Sequence, residues 1–235
     1  MTNYSFSLQT ILAGRTTSIY VGPNLKSHLR HNPEKPGALH ISSIVVVGNA
    51  TPDGQFFHFH LSMVAQGEDP SDSISLNMIP TYDGNRMYGI LEVEYRGELS
   101  RVLPDAITFE VALPASKVTA ATLCRCLLTT HHLDRYECVS VTLPLRFSFT
   151  HSFERFNLDG QGCRHWCATA LENLAETGFI DVDVGKKFQE FEEDEARKWG
   201  TKFPMPRIKG TFHNDDAQKG CKWQMNCGTN YVNNT

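Results

Sequence analysis

Thiol and imidazole are the side chains that supply a nucleophile and a base near neutral pH, so cysteines and histidines in regular elements come first. Cys163 lies in Gly160-Gln161-Gly162-Cys163-Arg164-His165-Trp166-Cys167. From Cys163 the apolar residues recur at Trp166, Cys167, Ala170, Leu171 and Leu174, the spacing of one buried helix face. Gly178 stands where a C-cap glycine belongs, and Gly160 and Gly162 give the approach its freedom. The spacing therefore predicts Cys163 in the first turn of a helix. There, unpaired backbone N–H groups and the positive end of the helix dipole stabilise a thiolate. Cys167 shares the face but not that position, and its expected part is that of a small buried hydrophobe. Cys163 is open to the same plain reading. Gln161 offers an amide that could donate to an oxyanion or simply belong to the loop, and Trp166 reads as a core anchor or a substrate platform.

The second stretch is Phe57-His58-Phe59-His60-Leu61. On a strand His58 and His60 point to one face, because side chains alternate with a period of two. A histidine held this way can act as a base towards a thiol on a neighbouring helix, or the pair can ligate a metal. Both can equally be ordinary, hydrogen-bonded strand residues. Cys124-Arg125-Cys126, His131-His132 and Cys138 fit no usual zinc spacing, so neither a metal nor another cofactor is assigned. Dinucleotide and phosphate-binding glycine loops, the serine-hydrolase elbow and the zinc-protease helix motif are all missing from the sequence.

These residues need elements to hold them. Segments 40–48, 55–65, 73–79, 87–95 and 106–113 are β-branched or alternating, with turn chemistry at 49–54 and at Tyr82-Asp83-Gly84-Asn85. Consecutive strands joined by tight turns imply an antiparallel meander. The period changes over 115–129, a helix with Ser116 as its expected N-cap, while 138–150 is again strand-like. Residues 186–199 form a charged amphipathic helix whose acidic run, including Glu192, Glu193 and Glu195, is expected to face solvent. The fold class is thus α+β: about five antiparallel strands against two or three helices. It is a single domain over 39–200, with an N-terminal arm at 1–38 and a polar, partly disordered tail at 201–235.

With 235 residues, 40% of them hydrophobic, the chain can bury a full core. A net charge of −4 and no basic stripe argue against nucleic acid as a partner. No apolar run reaches membrane-spanning length, no secretory leader opens the sequence, and seven cysteines is an odd number. The expectation is a cytoplasmic protein with free thiols, acting on a small molecule.

Three pieces together carry a resemblance: His58-Phe59 opening a strand, Ser73-Ile74-Ser75-Leu76-Asn77-Met78, and Gly160-Gln161-Gly162-Cys163-Arg164-His165-Trp166 opening a helix. They resemble an uncharacterised family of fungal proteins with a His-Trp-like strand and a Gly-Cys-Arg-x-Trp helix. That pattern is in turn similar to permuted papain-like thiol enzymes of the lecithin:retinol acyltransferase-like kind. The resemblance spans roughly residues 40–180 and implies Cys163 as nucleophile, His58 as base and Asn77 as the group that orients it. Gln161, His60, Trp166 and Arg164 are then candidates for binding the oxyanion or the substrate. It also implies a hydrolase or acyltransferase for a small amide, ester or thioester, with a tailoring role in secondary metabolism as one setting. A non-catalytic binding module of the same fold and a metal enzyme built on His58 and His60 remain the alternatives. Phe59 departs from the more usual tryptophan. Residues 137–154 interrupt the family pattern and read as a retained intron or a lineage insertion, expected to form an exposed loop or hairpin.

Overall fold

The computed structural model describes residues 19–21, 31, 35–66, 72–83, 86–96, 105–114, 118–129, 153–155 and 162–212. A short strand β1 (Ile19–Val21) and a single helical turn α1 (Lys35–Ala38) precede four long strands. These are β2 (Ile41–Ala50), β3 (Phe57–Ala65), β4 (Ser73–Asp83) and β5 (Arg86–Arg96), followed by β6 (Ile107–Ala112) and helix α2 (Ala120–Thr129). After β7 (Phe153–Arg155) come helices α3 (Cys163–Glu176) and α4 (Val184–Trp199), a 3-10 turn (Gly200–Lys202) and β8 (Thr211–Phe212).

The fold is α+β. Strands β5-β4-β3-β2-β6 form the antiparallel body of the sheet, and β1 adds to the β5 edge in parallel. The connection between Asp83 and Arg86 is only two residues long, and it sets the β4–β5 register through to Asn77↔Glu92 and Ser73↔Arg96. Strand β2 carries Ile44-Val45-Val46-Val47, buried at every position, so it reads as a continuous apolar run because both its faces are covered. One face of the sheet, with Ile44, Leu61, Met63, Leu76 and Val93, packs beneath the helices in the main core. The other face carries a smaller cluster of Val45, Val47 and Val64.

Helix α3 lies over β3 and β4 with Trp166, Ala170 and Leu174 fully buried, as the helical spacing requires. It ends at Gly178 with φ +79°, whose N–H donates to the Ala175 carbonyl while the Phe179 N–H donates to that of Leu174. Helix α4 sets Phe188 and Phe191 against Phe109 of β6, with ring centroids 5.0 and 5.2 Å away.

Three expectations change. Helix α2 starts at Ala120 rather than near 116, and its cap is Thr119, whose hydroxyl oxygen accepts from the Thr122 N–H at 3.2 Å. Ser116 lies outside the described residues, as do the strand expected over 138–150 and nearly all of the proposed insertion. The acidic run of α4 does not all face solvent: Glu192 is buried against Arg164 of α3 and Arg207 beyond the helix, and Glu195 is buried against Lys198 and the Trp199 indole N–H of its own helix. Residues 201–212, given to the tail by their composition, pack against the body through Phe203 and Arg207 and end in β8, which pairs with β7. Among the described residues no helix is long and apolar enough to cross a membrane.

Candidate active site

Strands β3 and β4 are paired only from Leu61↔Leu76 to Val64↔Ser73, although both run on past that point. Beyond Leu61, β3 keeps its bonds to β2 and β4 keeps its bonds to β5, so a notch opens between them. The Ala65 N–H donates to the Asp72 carbonyl on the β4 side. Alternation along the strand then aims the Phe59 N–H into the notch, where no β4 carbonyl meets it. It donates instead to Cys163 Sγ at 3.2 Å. The first residue of α3 thus stands in the gap in the sheet, as the sequence spacing predicts for a cysteine at a helix start.

His58 and Asn77 flank the same notch. The Asn77 Oδ1 accepts from His58 Nε2 at 2.6 Å, and the ring is also hydrogen-bonded to the Cys163 thiol. With one ring nitrogen committed to Asn77, Nδ1 is the one left for sulfur. On the far side, Asn77 Nδ2 donates to Glu92 Oε2 at 3.3 Å. A carboxylate only accepts, so Glu92 fixes which end of the amide faces His58. The four residues form a chain of polar contacts from a helix start across β3 and β4 to β5.

The electrostatics separate Cys163 from the other thiols. Burial on its own would raise the Cys163 pKa, but the hydrogen bond and positive charge of His58, with the Phe59 and Arg164 backbone N–H groups, outweigh it and lower it. Burial likewise pulls His58 down, and the Cys163 thiolate, Asn77 and Glu92 together raise it above its ordinary value. Both shifts favour a thiolate–imidazolium pair. Cys167, one turn along the same helix, is pushed well above the ordinary thiol value by burial and by the charge of Cys163. Cys124, fully buried without such a partner, is pushed up to about 12.

The remaining sequence candidates are distributed differently. His60 is buried on the strand face shared with His58 but stands opposite Val47 of β2. Trp166 is wholly inside the core. Gln161 lies outside the described residues. Among the described residues no group of three acidic, histidine or cysteine side chains is arranged to hold a metal ion. The Arg164 guanidinium is engaged elsewhere: its Nε pairs with Glu192 at 3.1 Å, its Nη2 donates to the Pro204 carbonyl, and it lies 4.0 Å from the Phe203 ring centroid. Arg207 grips the same carboxylate with two bonds of 2.9 and 2.6 Å. Burial draws the Arg164 guanidinium down to about 10, which still leaves it charged at neutral pH beside Glu192. This buried cluster ties α3, α4 and the 203–207 segment together directly behind the nucleophile.

A small pocket opens at Cys163 and Gly162, walled by Phe57, Phe59, Phe203 and Ile208. Glu92, Glu192, Arg207 and Phe203 are site residues that the sequence reading did not single out. Glu92 was within reach of it: counting back six residues on each side of the Asp83–Arg86 turn places Glu92 opposite Asn77.

The profile of a domain of unknown function, DUF7770, matches residues 149–213. That similarity takes in α3 with Cys163, the Arg164–Glu192–Arg207 cluster and the pocket wall from Phe203 to Ile208, and leaves out His58 and Asn77. No curated protein matches the chain, and no solved structure does.

Proposed function

We propose that the protein is a papain-like thiol enzyme, a hydrolase or acyltransferase that acts on a small amide, ester or thioester through a Cys163 thioester. The observation that carries this reading is the contact of Cys163, His58 and Asn77, three residues far apart in the chain, with the thiol pKa lowered at Cys163 and raised at Cys167. A lone packing cysteine needs no imidazole, and burial without one drives a thiol the other way.

In the first half-reaction the Cys163 thiolate attacks the carbonyl carbon, a C–S bond forms and the carbonyl oxygen takes up the charge. The N–H groups of the first turn of α3 are the donors at hand for that oxygen. As the tetrahedral species collapses, the bond to the leaving group breaks and the His58 imidazolium gives that group its proton. Water or another acceptor then loses a proton to His58, attacks the thioester and restores the thiol pair. Asn77 keeps the ring in plane for both transfers, and Glu92 keeps Asn77 turned correctly. Four described cysteines, all free, suit a reducing compartment such as the cytosol.

Incubation with p-nitrophenyl acetate tests the reading. The expected result is a burst of p-nitrophenol with acetyl found on Cys163 alone by peptide mass spectrometry, and its loss in a folded Cys163→Ala protein. A protein that leaves Cys163 unmodified under conditions where surface lysines acetylate would overturn the proposal.

A further inference from the structure

The pocket beside Cys163 has little room inside, so its rim is where a substrate can be told apart, and this step rests on the thioester reading above. Phe57, Phe59 and Phe203 pack on one another with ring centroids 5.8 to 6.5 Å apart, and the Arg164 guanidinium lies 4.0 Å from the Phe203 centroid. Only a short acyl group fits beside the thiol, and a charged one would lose its water to apolar walls. The rest of the substrate then lies towards solvent, where Lys202 stands at the pocket rim. Lys202 closes the 3-10 turn after α4, and the turn is anchored by buried Phe203, whose N–H donates to the Gly200 carbonyl at 3.0 Å. Among the described residues no carboxylate pairs with Lys202: Glu195 is taken by Lys198 and the Trp199 indole, and Glu192 by Arg164 and Arg207. The buried cluster behind the pocket is itself out of balance, with two guanidinium groups on the one Glu192 carboxylate. A net positive charge remains there, and Arg164 is close enough to Cys163 for their charges to act on one another.

We infer that the substrate is a small anionic acyl donor, with a short acyl group at Cys163 and a carboxylate on its leaving group held at the rim by Lys202. The exposed ammonium and the unbalanced cluster behind it then present one sign of charge to whatever approaches the thiol. In the step itself the C–S bond to Cys163 forms and the bond to the carboxylate-bearing leaving group breaks. That group takes its proton from the His58 imidazolium and departs towards Lys202.

Iodoacetate and iodoacetamide test the charge preference without any acyl transfer, since they bring the same reacting carbon with and without a negative charge. The quantity read is the ratio of their rates at Cys163 within one protein, at low ionic strength, by peptide mass spectrometry; a ratio cancels any change in the thiol itself. Lys202→Gln is expected to lower the iodoacetate-to-iodoacetamide ratio roughly two- to fivefold, the span of exposed ion pairs. Lys202→Arg should restore it, and high salt should shrink the difference. Lys186→Gln, which removes the same charge from the exposed start of α4, should not move it. Acylation of Cys163 by S-acetylthioglycolate relative to its neutral amide should shift with Lys202 in the same direction. A ratio identical in Lys202→Gln and the unaltered protein, or lowered as far by Lys186→Gln, overturns the anionic assignment and leaves the thioester chemistry standing. Alkylation that proceeds while neither thioester acylates Cys163 overturns the thioester reading, and this inference with it.

Discussion

Replacing His58 by alanine isolates the contribution of the imidazole to the thiol. Cys163 is buried, as Cys124 is, and Cys124 shows what burial without an imidazole does, a pKa of about 12. Cys163 instead lies below the ordinary value of 9.0. His58→Ala removes the hydrogen bond and the charge and leaves only the Phe59 and Arg164 N–H groups against burial. The Cys163 pKa then rises, with the Cys124 value as its ceiling. At pH 7 a thiol of pKa 9 is about one per cent thiolate, and one of pKa 12 about a thousandth of that. Alkylation of Cys163 at pH 7 is therefore expected to fall at least tenfold in His58→Ala, and by more than about a thousandfold were its pKa to reach the Cys124 value. The assay is the iodoacetamide rate at each cysteine between pH 5 and 10, read by peptide mass spectrometry, with circular dichroism to check folding. The unaltered protein should give a Cys163 profile with its midpoint below pH 9, because the lowered pKa keeps the thiolate present there and acid removes it. His58→Ala should still be rising at pH 9. Cys167 should stay inert in both. Superimposable Cys163 profiles in the two proteins would refute the thiol–imidazole pair, and with it the argument for catalysis.

Three more outcomes follow from the same geometry. Glu192→Ala strips two guanidinium groups, on Arg164 and Arg207, of their shared buried carboxylate; urea denaturation should show a loss of about 3–5 kcal/mol, and an unchanged midpoint would mean the cluster is not holding the fold. Glu92→Gln removes a negative charge that favours the imidazolium, so the His58 pKa should drop; NMR titration of the ring should show its midpoint at lower pH, and a midpoint that stays put or rises contradicts the contact chain. At Gly48 an added Cβ would stand 2.5 Å from the Phe59 ring, so Gly48→Ala must displace Phe59 and is expected to cost about 1–3 kcal/mol while also raising the Cys163 pKa, because Phe59 supplies one of the N–H bonds to sulfur; wild-type stability together with wild-type alkylation would show that the ring moves without its backbone.

How much of this can be read in the sequence depends on how local the signal is. Cys163 at a helix start, Gly178 after its end and the antiparallel run of β2 to β5 all rest on periodicity or turn chemistry within a few residues, and each stands in the structure as expected. The burial of Glu192 was not legible that way. Its helix is polar on average, and the partners that make burial tolerable come from Arg164 on another helix and from Arg207 beyond the helix end. The same holds for the 203–212 segment, which composition marks as a tail. Phe203 is anchored there by a guanidinium and two phenyl rings contributed from elsewhere in the chain. Thr119 took the capping role expected of Ser116 because the isolated bridge from His40 to Thr119, together with the Ala120 N–H bond to Leu39, holds the chain extended until that point. A propensity for capping cannot report such a tertiary constraint.

The candidate site is tied to an imperfection in the sheet. Had β3 and β4 stayed in the register they share at Leu61↔Leu76, Phe59 would face Met78, and the Phe59 N–H would meet a strand carbonyl instead of a sulfur. A complete ladder would stabilise the sheet and exclude the thiol. Ending the ladder at Leu61 leaves an N–H with no strand partner, a requirement that the first residue of α3 satisfies with Sγ. The same opening lets His58 reach Asn77 diagonally, two positions away from the His60 that a regular register would set opposite it. Asn77 remains firmly held during this departure because its other neighbour, β5, stays paired along the whole length of β4. The rigid β4–β5 hairpin therefore supplies the fixed end of the contact chain through Asn77 and Glu92. The interrupted edge of β3 supplies the base, and helix α3 brings the nucleophile into the space between them.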